Sequence, residues 1–297
     1  MIDLSLIVVS YNTAALTRDC LESVQAADTG ERELFVIDNA SADGSARLIE
    51  ERFPSVRLIA NTRNLGFAAA NNQALPGCQG RYLFFLNPDT QVRPDAFARA
   101  VSFMDANPQI GLAGCRIVNP DGSPQESVSL RYPGQKHCRG ELDGLPGRIA
   151  CVLGAAMIAR TGLVRNIGGF DESFFLYGEE QDLALRIRQS GFEIGFIPDA
   201  VVVHHGGQSE SPANPAATWE KKVRAENIFY RKHYRPETIR RIHREELLKA
   251  AWRRATLRLS LPFTRDPEKV RAKLIRYETI ARITRETAVG ERGTDGP

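Results

Sequence analysis

Residues 34–45 read LFVIDNASADGS. A short run of aromatic and β-branched residues ends on Asp38 and Asn39, and small polar residues then lead into a segment of helical period. This is one βα unit, and it repeats on both sides. Upstream, Leu4–Val9 is a strand candidate, followed by a helical pattern over Thr13–Gln25. Downstream, Val56–Ala60 and Tyr82–Leu86 are strand candidates, alternating with helical patterns at Ser45–Phe53, Gly66–Leu75 and Pro94–Ala106. The last helix opens on a proline, which a first helical turn tolerates. The alternation predicts an α/β fold with a mostly parallel central sheet flanked by helices. In such sheets ligands bind beyond the carboxyl ends of the strands. Polar clusters stand at those ends here.

Beyond residue 118 the pattern loosens. Residues Asn119–Arg148 are rich in Gly, Pro and polar side chains and read as a long excursion of the kind that often carries function. A strand-like run follows at Cys151–Ile158, then a helix over Glu180–Ser190 and short strands at Ile194–Ile197 and Val201–Val203. From Ala216 the chain reads as helical and basic, and from Ala288 as a disordered tail. The net charge of +3 conceals an asymmetry: residues 1–215 hold 18 Lys and Arg against 25 Asp and Glu, whereas residues 216–297 hold 21 against 11. A basic half of that size suits an anionic partner, with a solvated helical surface as the plain alternative.

With 42% apolar and 25% charged residues, the composition is that of a soluble globular protein. No stretch approaches the roughly 18 apolar residues of a membrane span, and Leu4–Val9 is too short for a secretory leader. Any membrane contact is therefore expected to be peripheral. The five cysteines lack the paired spacings of a zinc site and read as reduced thiols of a cytoplasmic protein.

Four clusters carry chemistry. Asp38, at a strand tip followed by small residues, can accept hydrogen bonds from a base or ribose; Asp43 and Ser45 beside it read as helix caps. In NTRNLGFAAANNQA (61–74), Arg63, Asn64 and Gly66 precede a helix start, where phosphate or base edges bind. In YLFFLNPDT (82–90), Asn87 and Asp89 end an apolar strand, an edge where a carboxylate suits a hard cation bridging to a pyrophosphate. Glu179, Glu180 and Asp182 crowd a helix start, more acids than capping needs, and like charges raise one another's pKa as a general base requires. His204 and His205, before two glycines, are read as metal or phosphate contacts against a structural alternative. SYNTAAL (10–16) has no glycine, which excludes a dinucleotide-binding fingerprint after the first strand.

Taken together, SLIVVSYNTAALTRDCLESV, VIDNASADGS, NTRNLGFAAANNQA, FLNPDT and GGFDESFFLYGEEQDLALRIRQSG resemble the inverting glycosyltransferase family 2, of GT-A fold, over about residues 4–207. The wording is closest to bacterial rhamnosyltransferases. The resemblance implies a catalytic domain over 1–215, with a nucleotide-sugar half to about 118 and an acceptor half after it. A basic helical extension (216–287) and a tail (288–297) follow. It implies that Tyr11, Asn12, Asp38, Arg63, Asn64, Gly66 and Asn87 hold the nucleotide, that Asp89 and His204 hold Mn2+ or Mg2+, and that Glu180 is the catalytic base, with Glu179 and Asp182 in acceptor or supporting roles. Asn87 departs from the family's Asp-x-Asp motif by one charge, and Glu180 stands where aspartate is common.

The implied reaction passes a sugar, L-rhamnose from dTDP-rhamnose ahead of UDP- or GDP-sugars, to a hydroxyl of a glycan or polyprenyl-linked acceptor. A sugar-nucleotidyltransferase and a non-catalytic nucleotide-sugar module are the alternatives; nucleic acid is not an expected partner. In the basic extension, Leu247, Leu248, Ala251, Trp252, Ala255 and Leu259 recur at helical spacing with Arg253, Arg254 and Arg258 alongside. That pattern fits a helix lying on the inner face of the cell membrane, or one packed within the protein or against a second subunit.

Overall fold

A computed structural model of the chain describes residues 2–27, 30–206 and 215–292. They divide into two compact units, one made of the described residues within 1–132, 144–175 and 179–206 and the other of those within 133–143, 176–178 and 215–292.

The larger unit carries β1 (Leu4–Ser10), α1 (Ala14–Ala26), β2 (Arg32–Asp38), α2 (Ser45–Arg52), β3 (Arg57–Ala60), α3 (Phe67–Ala74), β4 (Tyr82–Leu86), β5 (Thr90–Val92), α4 (Ala96–Ala106), β6 (Ile110–Val118), β7 (Val128–Ser129), β8 (Cys151–Val152), β9 (Ala156–Arg160), α5 (Thr161–Asn166), α6 (Glu179–Gln189) and β10 (Glu193–His204). Eight strands form one sheet in the order β3-β2-β1-β4-β9-β6-β10-β5, and β7 and β8 pair separately. All seven residues of β1 are buried, five of them apolar, as a strand between two parallel neighbours should be. One face of the sheet packs Leu6, Val8 and Phe84 against Leu21, Ile49, Phe97 and Met104, with the rings of Phe84 and Phe97 edge to face at 4.9 Å.

The parallel arrangement holds through β3, β2, β1 and β4, and the remainder is mixed: β9 runs antiparallel to both β4 and β6, and β5 antiparallel to β10. The run expected as one strand over 151–158 is two, β8 and β9, because the chain turns at Leu153–Ala155. The two strands expected near 194–203 are one, β10, whose register shifts between Ile197 and Val201, where Pro198 has no N–H to donate.

The smaller unit is built on α7 (Pro215–His233), α8 (Pro236–Ser260) and α9 (Pro267–Arg292). Its core holds Phe229, Tyr230, Tyr234, Ile239, Ile242, Ala281 and Ile283. Residues 133–143 are fastened to these helices: the Tyr234 hydroxyl donates to Pro133 O (2.6 Å), Arg241 donates to His137 O (2.9 Å), and Lys136 pairs with Glu245. Helix α9 continues past the expected start of the tail at 288; residues 293–297 lie outside the described ones.

The stripe on α8 is exposed at Leu248 (63%), Trp252 (62%) and Leu259 (74%), and Phe263 after the helix is exposed at 88%. The three arginines are engaged differently from the expectation. Arg253 lies over the rings of Trp252 and Tyr277, Arg254 has its Nε buried, and Arg258 pairs with Glu278 at 2.7 Å.

Candidate active site

Three loops at the carboxyl ends of β1, β2 and β3 are tied together by their own side chains. Asn12 accepts Ala42 N on its Oδ1 (2.8 Å), and its main-chain N–H donates to Ser41 Oγ (2.9 Å). Asp43 accepts from Ala14 N (2.8 Å) and from Ser45, joining the first turns of α1 and α2; burial works against its charge, yet these hydrogen bonds hold it below the usual carboxylate range. Asn39 reaches forward, donating to Asn64 Oδ1 (2.9 Å) and accepting from Leu65 N (3.0 Å). Of the three non-glycine residues with positive φ among the described residues, Asn12 and Ala40 sit in this framework, a strain that persists only where the surroundings enforce it.

Asp38 is 2% exposed; its Oδ2 accepts Ser41 N (3.0 Å), and its Oδ1 is buried without a partner. An orphaned buried carboxylate oxygen at a strand tip suits the N–H or O–H of a nucleoside. Tyr11 and Arg63 are exposed nearby on the same loops. Asn64 braces its loop through Oδ1, which also accepts Gly66 N (2.9 Å). Gly66, with φ +85°, has no room for a side chain: a Cβ would lie 2.5 Å from Phe175 O. Its closeness lets Phe67 N donate to Phe175 O (2.8 Å), holding the 168–175 segment against α3.

β4 ends in Asn87, Pro88 and Asp89, and β5 turns back at once. The antiparallel register of β5 and β10 sets His204 opposite Thr90, and His205 N donates to Asp89 O (2.9 Å). That register places His204 Nε2 3.4 Å from Asp89 Oδ1, both side chains largely buried. Asn87 N donates to Ala155 O (2.9 Å), so NPD lies along the turn between β8 and β9. Glu180 lies against the same turn, its Cβ 3.7 Å from where a Gly154 Cβ would stand.

The three acids of α6 separate into three states. Asp182 is fully buried and accepts Arg186 Nε (2.7 Å), while the same guanidinium caps Ile167 O and Gly169 O, so Asp182 is a support for the GGFD turn. Glu179 is 5% exposed with Oε2 unpartnered, and burial, then the charge of Glu180, pushes its carboxyl well above the usual range. Glu180 is the one of the three that stays partly exposed. Burial foremost, and the charge of Glu180 second, thus raises the carboxyl of Glu179, the neighbour of the expected base.

Asp89 and His204 supply one carboxylate oxygen and one imidazole nitrogen, a donor pair that fits Mn2+ or Mg2+ when a diphosphate completes the shell. Among the described residues no group of three or more His, Cys, Asp or Glu converges on one point. The resemblance did not single out Gln125, which bonds to His204 twice, nor Asn39, which organises the second and third loops. Neither shows a local signal, because Asn39 joins residues 22 to 27 positions away and Gln125 reaches His204 79 positions away.

The family model described as glycosyl transferase family 2 matches residues 5–166. Over 252 residues, 74% of this chain and 82% of the relative, the sequence is 27% identical to the N-acetylglucosaminyl-diphospho-decaprenol L-rhamnosyltransferase of Mycobacterium tuberculosis. Among solved structures, the mannosyltransferase PcManGT of Pyrobaculum calidifontis, in complex with GDP-Man and Mn2+, superimposes with a TM-score of 0.62 at 20% identity, covering 99% of this chain and 88% of that one. S. aureus TarS 1–349 with UDP-GlcNAc gives a TM-score of 0.54 at 20% identity over 83% of this chain and 67% of that one.

Proposed function

The chain belongs to glycosyl transferase family 2 and is a glycosyltransferase, and from that premise we propose that it moves L-rhamnose from dTDP-rhamnose, with inversion, to a hydroxyl of a polyprenyl diphosphate-linked glycan. The observation that carries the chemistry is the meeting of Asp89 and His204 beside the turn that Glu180 flanks. The sugar and acceptor are supported by the mycobacterial relative, whose name specifies both. Glu180 takes the proton of the acceptor hydroxyl as that oxygen attacks the anomeric carbon, and the nucleoside diphosphate leaves from the opposite face. One displacement inverts the centre. Asp38 holds the nucleoside through its unpartnered oxygen. Asp89 and His204 would hold a divalent cation, which when bound neutralises charge on the diphosphate. A thermal-shift series with dTDP-, UDP- and GDP-sugars, with and without manganese, is expected to give its largest rise with dTDP-rhamnose and manganese together. A larger rise with a UDP- or GDP-sugar overturns the donor assignment.

For a lipid-linked acceptor the enzyme has to work at the inner membrane face. No helix among the described residues is long and apolar enough to cross a membrane. The exposed row Leu248, Trp252 and Leu259, extended by Phe263, is the surface proposed to enter the lipid boundary. Because Arg253 lies over Trp252 and Tyr277 and Arg258 pairs with Glu278, the apolar row should contribute more than those arginines. Changing Leu248, Trp252, Leu259 and Phe263 together to serine is expected to abolish pelleting with anionic liposomes. The triple change of the arginines to glutamine should reduce it less. Equal pelleting of the serine variant and the parent would return the row to packing against a second copy.

A further inference from the structure

The segment NPDGSPQ (119–125) carries a chain of hydrogen bonds whose direction is forced from end to end. Its outer end is Asp121, a carboxylate that only accepts; Ser123 donates to it from the amide (2.9 Å) and the hydroxyl (2.6 Å), and the hydroxyl bond foremost holds Asp121 below the usual carboxylate range. With its hydrogen committed, Ser123 Oγ accepts from Asn119 Nδ2 (2.8 Å). The Asn119 amide is thereby oriented with Oδ1 towards Gln125. Gln125 Nε2 donates to that oxygen (2.6 Å) and to His204 O (2.8 Å), which accounts for both of its hydrogens. Its Oε1 is left facing His204 Nδ1 at 3.0 Å.

An amide oxygen cannot donate, so Nδ1 carries the hydrogen of this bond. In a neutral imidazole the other nitrogen, Nε2, then holds a lone pair, and it lies 3.4 Å from Asp89 Oδ1. Two acceptors facing each other across that gap repel unless a cation stands with them. Free imidazole could escape by moving its hydrogen to Nε2 and donating it to Asp89. The bond to Gln125 opposes that escape.

We infer that Gln125 is a positioning residue that locks His204 in its Nδ1–H tautomer, keeping the Nε2 lone pair turned towards Asp89 as a ready cation ligand. The inference rests on the metal reading of Asp89 and His204 given above, and it adds that the site is held in its metal-accepting form before any metal arrives. Groups that orient a ligand histidine in this way typically govern metal affinity by about 10–100-fold.

Nitrogen-15 NMR of the imidazoles in the full chain, free of metal and at pH 8, reads the tautomer directly, with His204→Asn identifying its resonances. The expected wild-type spectrum has Nδ1 protonated and Nε2 bare. Gln125→Leu is expected to shift the hydrogen to Nε2 and to weaken Mn2+ binding, read as free Mn2+ by electron paramagnetic resonance, by about 10–100-fold. Gln125→Glu keeps an acceptor for Nδ1 and should keep the tautomer, which leaves the inference testable if the leucine variant fails to fold. An Nε2–H tautomer in the wild type, or an unchanged tautomer and Mn2+ affinity in Gln125→Leu, overturns it. A wild type with the expected tautomer that binds no Mn2+ would overturn the cation role alone and leave the orienting role of Gln125 in place.

Discussion

Glu180→Gln is expected to lower transfer by about 10²–10⁴-fold while donor affinity stays the same. The amide keeps the size of the acid beside Gly154 and removes only its capacity to take a proton. Stopped-flow or radiolabel turnover, paired with calorimetric donor titration, separates the two quantities. Glu179→Gln is the matching control. Burial, then the charge of Glu180, raises the Glu179 carboxyl and so favours its protonated form, which the amide resembles, and turnover should stay within a few-fold of wild type. Its stability effect has a definite sign. An acid whose folded pKa is raised contributes most below its ordinary value of 4.5, and that contribution is lost as pH rises through the folded pKa. The melting temperatures of Glu179→Gln and wild type should therefore be close below about pH 4.5 and diverge in favour of the variant as pH rises. Near-normal turnover in Glu180→Gln with loss in Glu179→Gln would move the base to Glu179.

The amino-terminal half was readable because its βα units repeat and each strand carries its own signal. LSLIVVS and YLFFL are predominantly apolar, and the structure buries both completely as neighbouring parallel strands in the middle of the sheet. β6 escaped the same reading although it is nine residues long and nearly all buried. Its glycines dilute the strand signal, and the structure shows why one is there: a Cβ on Gly114 would sit 2.6 Å from Val152 Cβ, so β8 could not approach. β5, three residues long, has no periodicity to detect.

The acids of α6 show a different limit. That Asp182 serves structure is foreshadowed by Arg186 four residues on, the spacing of a helical ion pair. That Glu179 and not Glu180 is the buried one depends on how α6 is rotated against the sheet, which no spacing in GEEQD encodes. The site itself is a product of register. His204 meets Asp89 because β10 pairs with a strand more than a hundred residues earlier, and only the resemblance to known transferases linked the two in advance.

That register also frames the second large effect. Asp89→Ala is expected to weaken manganese-dependent binding of dTDP by about 10²-fold or more, at or above the upper end of what is lost when a group that merely orients a metal ligand is removed. The substitution should leave the strands in place, because the bond that fastens this corner runs from His205 N to the main-chain oxygen of Asp89, and the Thr90 hydroxyl caps Asn87 O (2.7 Å) independently. His204→Ala should cost less than Asp89→Ala but no less than Gln125→Leu, within about 10–100-fold, since imidazole is a neutral ligand and Asp89 brings the charge, all the more so with the neutral Asn87 standing two residues before it. Calorimetric titration of dTDP with and without manganese reads both. Without manganese the three proteins should bind alike, because Asp38 and the loops it anchors are untouched. An Asp89→Ala protein that retained full manganese-dependent affinity would take the metal away from this corner. A loss that was equally large without manganese would show instead that Asp89 shapes the nucleotide loops, and would leave charge neutralisation of the diphosphate to the protein's own cations.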